Sequence, residues 1–313
     1  EGFNAAMLKL VFGDAGPHDR LRGVQAPGGG GALRLLAELV ARAERGATVW
    51  LSDPTWPNHQ SILKQVGLAF RSYPYFDRET RDVDFDAMRR TLAEAGPGDV
   101  VLLHGCCHNP TGANLTLEQW RELAQLAADR EFTPFVDIAY QGFGDGLEAD
   151  AAGVRTLAAA VPEMIVAASC SKNFAAYRER VGCAMIFGAT AEAADLAKET
   201  MKALARANWS MPPDHGAAVV RTVLETPELR ADWEAELESM RARMLELRGA
   251  LAESLRARTN SDDYDFIARH RGMFSLIGAT PEQIERLREE HAIYAIGDSR
   301  INIAGLNAGA IDR

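Results

Sequence analysis

The chain has 313 residues, of which 47% are hydrophobic and 25% charged, and its formal net charge is −10. This apolar fraction excludes an intrinsically disordered chain, because enough side chains are present to fill a core. The acidic balance argues against a nucleic-acid partner, since a protein that binds the phosphate backbone needs a basic surface. At roughly 150 residues per domain, the length predicts about two domains.

Targeting signals are scarce. The apolar run Ala5–Phe12 is interrupted by Lys9 and has no cleavage signature. No apolar stretch approaches the roughly 18 residues of a membrane span, so we expect no membrane partner. Four cysteines are too few for a disulfide framework, which predicts a cytoplasmic protein.

The chain starts at Glu1, and Asn307 near its end resembles the cap of a further helix. We therefore expect a fragment.

Short apolar runs alternate with amphipathic stretches such as Leu117–Arg130, which predicts a helix. The apolar runs are typical of strands buried on both faces. They predict strands at Thr48–Leu51, Asp99–Leu103, Thr133–Ile138, Met164–Ala168 and Cys183–Phe187. This alternation predicts an α/β fold with a mostly parallel central sheet and helices on both faces. Chemistry is then expected just after the carboxyl ends of the strands.

The glycine run Gly28–Gly31 opens a helical pattern. The run either binds phosphate through the bare backbone N–H groups of a helix N-terminus or forms a flexible loop, and the sequence favours neither. No Lys-Ser/Thr pair follows, which excludes a P-loop. No strand is predicted before the run, which argues against a dinucleotide site.

Cys106, Cys107 and His108 follow the second predicted strand. They raise the alternative of a metal site, but no second ligand pair has zinc-like spacing. Buried structural thiols are the preferred interpretation, and no metal is expected. Asn109 begins the turn Asn109–Gly112, and either donates a hydrogen bond at the active edge of the sheet or lies in a plain loop.

Two charged residues follow later strands. Asp137 lies near the end of a buried strand, where it either pairs with a cationic ring nitrogen or caps a helix. Lys172 follows the next strand, where it is either a Schiff-base nucleophile or an ordinary surface lysine. Arg180, eight residues later, could hold an anion through its guanidinium fork.

Thr226 and Pro227 mark the start of a long helix, predicted at about 227–258. Its apolar stripe consists of Leu229, Trp233, Leu237, Met240, Met244, Leu247, Leu251 and Leu255. We expect this helix to join a large domain, residues 1–238, to a smaller α+β domain, residues 239–313. The predicted strands of the smaller domain are Gly272–Leu276 and Arg300–Ile303.

Taken in order, these segments resemble the class I, fold-type I aminotransferases that depend on pyridoxal 5'-phosphate (PLP), in the aspartate and aromatic-amino-acid branch. The resemblance covers the whole chain. It is carried by the strings WLSDPTWPNH (50–59), VLLHGCCHNPTG (101–112), VDIAYQGFG (136–144) and SKNFAAYRERVG (171–182), and by the segments 206–216 and 299–306. It implies the fold of that family and a chain that lacks an N-terminal segment and a C-terminal helix.

The resemblance also implies roles around the cofactor. Lys172 would bind PLP as a Schiff base and move the proton between Cα and C4′. Asp137, supported by His59 behind it, would pair with the ring nitrogen. Tyr140, the third catalytic residue, and Asn109 would hydrogen-bond the phenolic oxygen. The implied cofactor-binding set is Gly29, Gly30, Trp56, Asn109, Asp137, Tyr140, Ser169, Lys172 and Arg180.

The implied substrate-binding set is Trp56, Asn109, Arg206, Phe274 and Arg300. Arg300 would clamp the α-carboxylate, and Arg206 would bind a distal carboxylate in the partner subunit's site. The partners would be small amino acids and 2-oxo acids, in a homodimer with shared active sites. The reaction would be transamination between an aromatic or acidic L-amino acid and 2-oxoglutarate. The alternatives are a non-catalytic PLP-binding module and an inactive fragment.

Two positions depart from the family pattern. Gly30 stands where the family usually has Thr or Ser, which removes one hydroxyl contact to the phosphate and predicts weaker PLP binding. Met211 stands where Asn or Ser is usual. An apolar residue close to Arg206 in the sequence disfavours strict recognition of acidic substrates, so we expect a preference for aromatic ones.

Overall fold

The structure is a computed structural model that describes residues 1–14, 18–307, 309 and 311. In this part of the chain the strands are β1 (Leu21–Pro27), β2 (Thr48–Asp53), β3 (Ala69–Pro74), β4 (Phe76–Asp77), β5 (Asp82–Val83), β6 (Val100–His104), β7 (Thr133–Ile138), β8 (Met164–Ser169), β9 (Val181–Phe187), β10 (Phe274–Leu276) and β11 (Arg300–Asn302).

The α-helices of the same part are α1 (Gly2–Phe12), α2 (Gly28–Ala43), α3 (Pro57–Val66), α4 (Phe85–Leu92), α5 (Leu117–Arg130), α6 (Leu147–Ala160), α7 (Ala191–Trp209), α8 (Asp214–Glu225), α9 (Pro227–Thr259), α10 (Phe266–Arg269) and α11 (Pro281–His291). Two short 3-10 helices cover His18–Arg20 and Ile303–Gly305. Within the described residues, no helix is both long and apolar enough to cross a bilayer.

Seven strands form the central sheet in the order β1-β9-β8-β7-β6-β2-β3. Strand β9 runs antiparallel to both of its neighbours, while the other neighbouring pairs are parallel. The predicted mostly parallel sheet is confirmed, and each of the five predicted strands is present with its ends shifted by at most two residues.

Side chains alternate between the two faces of the sheet. Val101 and Leu103 of β6 pack into one apolar cluster with α1, α5, α6, α8 and the first half of α9. Val100 and Leu102 pack into the other cluster with α2, α3 and α7. This period of two is that of a strand covered on both faces, and it confirms helices on both sides of the sheet.

The interpretation of the glycine run needs one correction, because a strand does lead into it. Strand β1 ends at Pro27, and α2 starts at Gly28. Sequence reasoning missed β1 because it contains Gly23 and Pro27, which interrupt a strand pattern. Proline is tolerated there because β1 is an edge strand of the sheet. The run is thus the first turn of a helix and not a flexible loop.

Helix α9 has 33 residues, and its start at Pro227 confirms the predicted position. Trp233 and Leu237 belong to the core beside the sheet, whereas Leu247 packs with α10 and the C-terminal residues. Leu229, at the start of the predicted stripe, is 44% exposed.

Strands β10 and β11 form an antiparallel pair that lies outside the central sheet. The predicted strands were slightly too long, because Gly272, Met273 and Ile303 lie outside the paired residues. The division into residues 1–238 and 239–313 stays a prediction. The helix expected after Asn307 falls largely outside the described residues.

Candidate active site

A cavity of about 440 Å³ opens at the carboxyl ends of the parallel strands β6, β7 and β8. Most of the predicted site residues contribute to its wall. They are Gly29, Gly30, Trp56, Asn109, Asp137, Tyr140, Ser169, Lys172, Arg180, Phe274 and Arg300. Two predicted residues, His59 and Arg206, are not part of the wall. The carboxyl edge of a parallel sheet is where α/β folds bind their ligands.

Lys172 follows β8 and is largely buried in the cavity wall, so it is not an open-surface lysine. Its Nζ atom lies 4.6 Å from the centre of the Tyr140 ring. Burial lowers the pKa of Lys172, although the nearby Asp137 carboxylate partly opposes this effect. A lysine with a lowered pKa exposes a larger fraction of neutral amine, which is the nucleophilic form.

Asp137 lies near the end of β7, and its Oδ2 atom is 3.0 Å from Nε2 of His59. Nδ1 of His59 is in turn 2.8 Å from Oγ1 of Thr55. Burial opposes ionisation of Asp137, but the His59 hydrogen bond and the neighbouring basic groups hold its pKa below the ordinary value. His59 thus lies directly behind the carboxylate, and Asp137 caps none of the described helices.

The second carboxylate oxygen of Asp137, Oδ1, is buried and has no hydrogen-bond partner among the described residues. A buried acceptor without a partner is costly. Asp137 belongs to the cavity wall, and a cationic N–H group bound in the cavity would satisfy this oxygen. The geometry therefore favours the ring-partner interpretation of Asp137 over the helix-cap alternative.

Two further histidines adjoin the site: His104 is half-buried in the cavity wall, and His108 is buried. Nε2 of His104 is 3.2 Å from Oγ1 of Thr55, and the rings of His104 and His108 have centres 4.1 Å apart. Burial lowers the pKa of His104 to about 3, so its ring stays neutral. His108 is held by the hydroxyl groups of Ser52 and Thr111.

One end of the cavity is suited to an anion. Gly29 and Gly30 lie in the first turn of α2, where backbone N–H groups and the helix dipole attract negative charge. A Cβ atom at Gly29 would come within 2.9 Å of the Ser169 Cβ, whereas none of the described atoms lies within 4 Å of a Cβ atom at Gly30. Arg180 contributes a guanidinium group to the same wall.

The other end of the cavity carries Arg300. Its Nη1 atom donates to Oδ1 of Asn109 at 2.8 Å, and its guanidinium carbon lies 5.0 Å from the centre of the Phe274 ring. Its Nε atom is buried without a partner, and Arg300 forms no ion pair with any described residue. An unpaired fork of this kind binds carboxylates in a bidentate manner.

Aromatic and amide groups complete the wall. The Asn109 Nδ2 atom lies 3.5 Å from the Tyr140 hydroxyl oxygen. Burial raises the pKa of Tyr140, so the hydroxyl keeps its proton and can donate it in a hydrogen bond. Trp56 is half-buried at the start of α3 and meets the His59 ring edge-to-face, with centres 5.3 Å apart.

Arg206 lies near the end of α7, where its side chain is exposed. Met211 follows this helix and is 76% exposed. A single chain therefore does not bring Arg206 into the cavity with the other predicted substrate residues.

The Cys106 and Cys107 thiols and the Asp150 carboxylate have ligand atoms within 4.8 Å of one another. The Asp150 carboxylate already accepts backbone N–H groups from Gly142, Gly144 and Asp145, each at 2.8 Å. The Cys107 thiol and burial raise the pKa of Cys106, and burial raises that of Cys107. Both thiols are thus buried and protonated beside a carboxylate that holds a loop.

Sequence reasoning missed part of the cavity wall. The additional residues are Leu33, Asn58, His104, Cys106, Ala139, Ser171 and Tyr177. His104 carried a usable signal, since it is a polar residue at the carboxyl end of a buried strand. Asn58, Ala139 and Ser171 are adjacent to predicted residues, and Leu33 follows Gly30 by about one turn of α2, whereas Cys106 and Tyr177 do neither.

The family model for aminotransferase class I and II matches residues 1–313. The aromatic-amino-acid aminotransferase of Paracoccus denitrificans is 55% identical over 99% of this chain and 78% of its own length. The aspartate aminotransferase of Escherichia coli strain K12 is 48% identical over 97% of this chain and 78% of its own.

A solved structure of the aromatic-amino-acid aminotransferase from Burkholderia pseudomallei, covalently bound to pyridoxal phosphate, is 43% identical to this chain. Its TM-score is 0.97, and the match covers 99% of this chain and 79% of that one. The fold, the cavity and the sequence similarity agree with one another. The chain belongs to the class I and II aminotransferase family and is an aminotransferase.

Proposed function

We propose that the protein moves the amino group of an aromatic or acidic L-amino acid to 2-oxoglutarate, with PLP as its cofactor. The observation that carries the proposal is the cavity itself. It combines a largely buried lysine, an aspartate with one free buried oxygen, a helix N-terminus and an arginine that has no acidic partner among the described residues. These groups fit a ligand with a cationic ring nitrogen, a reactive aldehyde and a phosphate.

The free Oδ1 atom of Asp137 is the best support for PLP, because a protonated ring nitrogen would satisfy it. When bound, PLP supplies a cationic ring that takes up electrons from the substrate Cα. Lys172 would hold the cofactor through Nζ and would accept the proton that leaves the substrate. His59 orients the Asp137 carboxylate from behind.

The remaining residues of the cofactor site would contact different parts of PLP. Tyr140 and Asn109 would hydrogen-bond the phenolic oxygen, and Trp56 would pack against the ring. The phosphate would be held at the start of α2 by four residues of the cavity wall: Gly29, Gly30, Ser169 and Arg180. The cationic Arg180 and the helix N-terminus both favour this dianion.

Arg300 binds the substrate α-carboxylate, since its guanidinium group has no acidic partner among the described side chains. Asn109 and Phe274 hold the guanidinium from two sides. Trp56 borders the substrate. Arg206 acts in the partner subunit's site, because its exposed position on α7 lies outside the cavity of its own chain. The functional unit is then a homodimer with shared active sites.

The expected preference among substrate side chains rests on Met211. A thioether in place of a polar side chain offers no hydrogen bond to a distal carboxylate, so we infer that aromatic amino acids are preferred. Comparing kcat/KM for phenylalanine and aspartate tests this, and strict preference for aspartate would contradict it.

The four cysteines are free thiols, which agrees with a cytoplasmic location.

The central test is the Lys172→Ala variant. With PLP and phenylalanine, the wild-type protein should form phenylpyruvate and glutamate from 2-oxoglutarate, and the variant should lose this turnover. Lys202→Ala is the control, because Lys202 is an exposed lysine that pairs with Glu199 on α7. Turnover retained in Lys172→Ala would refute the proposal. A PLP absorbance band without turnover in the wild type would favour a non-catalytic binding module or an inactive fragment.

A further inference from the structure

Arg248, in the middle of α9, is fully buried, with 0% of its surface exposed. None of the described acidic side chains pairs with it. Burial lowers its pKa to about 10, so the guanidinium still carries its charge at neutral pH. A buried cation is costly unless hydrogen bonds compensate for the lost water. What Arg248 contacts therefore indicates why the fold retains it.

Its hydrogen bonds go to Ile267 of α10 and to residues 271–275, which lie before and within β10. Nη2 donates to the carbonyl oxygens of Phe274 at 2.7 Å, Gly272 at 2.8 Å and Arg271 at 3.2 Å. Nη1 donates to the Ser275 hydroxyl at 2.8 Å and to the Ile267 carbonyl at 3.0 Å. One planar group thus contacts the backbone carbonyls of four residues and the hydroxyl of a fifth, and only Phe274 and Ser275 of these lie in β10.

This segment supports Arg300 in two ways. Strand β10 pairs with β11, and in that pairing Leu276 lies opposite Arg300. The ring of Phe274, whose carbonyl Arg248 binds, lies 5.0 Å from the Arg300 guanidinium carbon. A shift of the β10 backbone would therefore move both the strand and the ring that hold Arg300.

The opposite side of the segment contacts the turn that carries Asn109. The Arg271 N–H donates to the Gly112 carbonyl at 2.9 Å. A Cβ atom at Gly112 would lie only 2.4 Å from the Phe274 carbonyl oxygen. The segment is thus held between this turn and α9, and Asn109, in the same turn, binds Arg300.

We propose that Arg248 is a positioning residue for the substrate-carboxylate site, acting through the backbone of residues 271–275 on Phe274 and Arg300. It does not touch the substrate. This inference rests on the proposed role of Arg300 as the carboxylate clamp.

The test is the Arg248→Lys variant, which keeps the charge but replaces a planar fork by a single ammonium group. The probe is 3-phenylpropionate, which is phenylalanine without its amino group and binds without reacting. Its Kd for the PLP-loaded protein is measured by calorimetry. We expect Arg248→Lys to raise this Kd at least 10-fold while the Kd for PLP stays within 2-fold. Arg241→Lys is the control, since Arg241 lies on the same helix in a surface pair with Glu238.

Phe274→Leu should weaken binding of the probe on its own. If Arg248 acts through Phe274, the double variant should lose less than the sum of the two single losses. Ser275→Ala, which removes one acceptor of Arg248, is measured if Arg248→Lys fails to fold, and it should raise the Kd 2- to 3-fold. An unchanged Kd in the folded variants overturns the role of Arg248. If the wild type itself does not bind 3-phenylpropionate, the carboxylate clamp is wrong, and this inference falls with it.

Discussion

One oxygen of Asp137 lies 3.0 Å from Nε2 of His59, while its other oxygen is buried without a partner among the described residues. The aspartate is thus anchored on one side and unsatisfied on the other. Because its pKa is held low, the unsatisfied oxygen belongs to a carboxylate that stays charged at neutral pH. This asymmetry is what a partner for a cationic ring requires.

Asp137→Asn should therefore reduce kcat by roughly 100-fold or more, because an amide cannot stabilise the charge of the ring nitrogen. Single-turnover kinetics with phenylalanine measures this step directly. His59→Gln should have a smaller effect, since it leaves the carboxylate in place. An Asp137→Asn variant with kcat within threefold of the wild type would contradict the assigned role.

Gly30→Thr should strengthen PLP binding. The space around the missing Cβ is open, and a hydroxyl there would add one hydrogen bond to a charged phosphate, worth about 1–2 kcal/mol or about 5- to 30-fold in Kd. Equilibrium dialysis measures the change. The matched control is Gly29→Ser, whose Cβ would collide with Ser169 and should weaken binding. If the wild type and the Gly30→Thr and Gly29→Ser variants all bind PLP with equal affinity, the phosphate does not bind at the first turn of α2.

Trp233→Phe should slow catalysis from a distance. The Trp233 Nε1–H donates to the Asn173 carbonyl at 2.7 Å, and its ring stacks on Phe174, so it holds the loop directly after Lys172. We expect a loss of about 1 kcal/mol in stability and a roughly 3- to 10-fold lower kcat. Trp50→Phe removes a buried indole N–H that has no hydrogen-bond partner among the described residues, and it controls for the lost volume. An equal fall of kcat in both variants would remove the special role of Trp233.

The buried histidines predict loss of stability in mild acid. The pKa of His104 falls from 6.5 to about 3 on burial. Below pH 6.5 the unfolded chain therefore binds a proton that the folded chain does not. The free energy of unfolding should decrease by about 1.4 kcal/mol per pH unit for this group as the pH falls from 6.5 towards 3.

Urea unfolding at pH 7, 6 and 5 measures this slope. His104→Asn should reduce it by about one proton equivalent. The matched control is His18→Asn, since His18 is an exposed histidine of the 3-10 helix His18–Arg20. The interpretation fails if the His104 variant keeps the full wild-type slope.

Much of the site could be predicted because its residues follow buried strands. Asp137 and Lys172 each come at or just after the end of an apolar run, and α/β topology brings those ends to one edge. Taken singly, each residue had an equal or better structural explanation. The order of the motifs along the chain resembles that of the class I aminotransferases, and this resemblance favoured the functional interpretation of each residue over the structural one.

Other features could not be read from local patterns. Strand β1 is interrupted by glycine and proline, and its edge position, which makes this harmless, is a property of the assembled sheet. A charged residue within a long helix is ordinarily exposed, so nothing in the local sequence indicates that Arg248 is buried. The carboxylate of Asp150 meets the Cys106 and Cys107 thiols only through the folding of α6 against the sheet.

Helix α9 contacts both halves of the site, through Trp233 near Lys172 and through Arg248 near Arg300. The two contact residues are 15 positions apart, about 22 Å along the axis at 1.5 Å per residue. One inserted residue between them would turn Arg248 by about 100° and remove its guanidinium from residues 271–275. Substitutions at the exposed positions between them should be tolerated, whereas insertions and deletions should not. The contacts of Trp233 and Arg248 thus constrain the number of residues that can lie between them in α9.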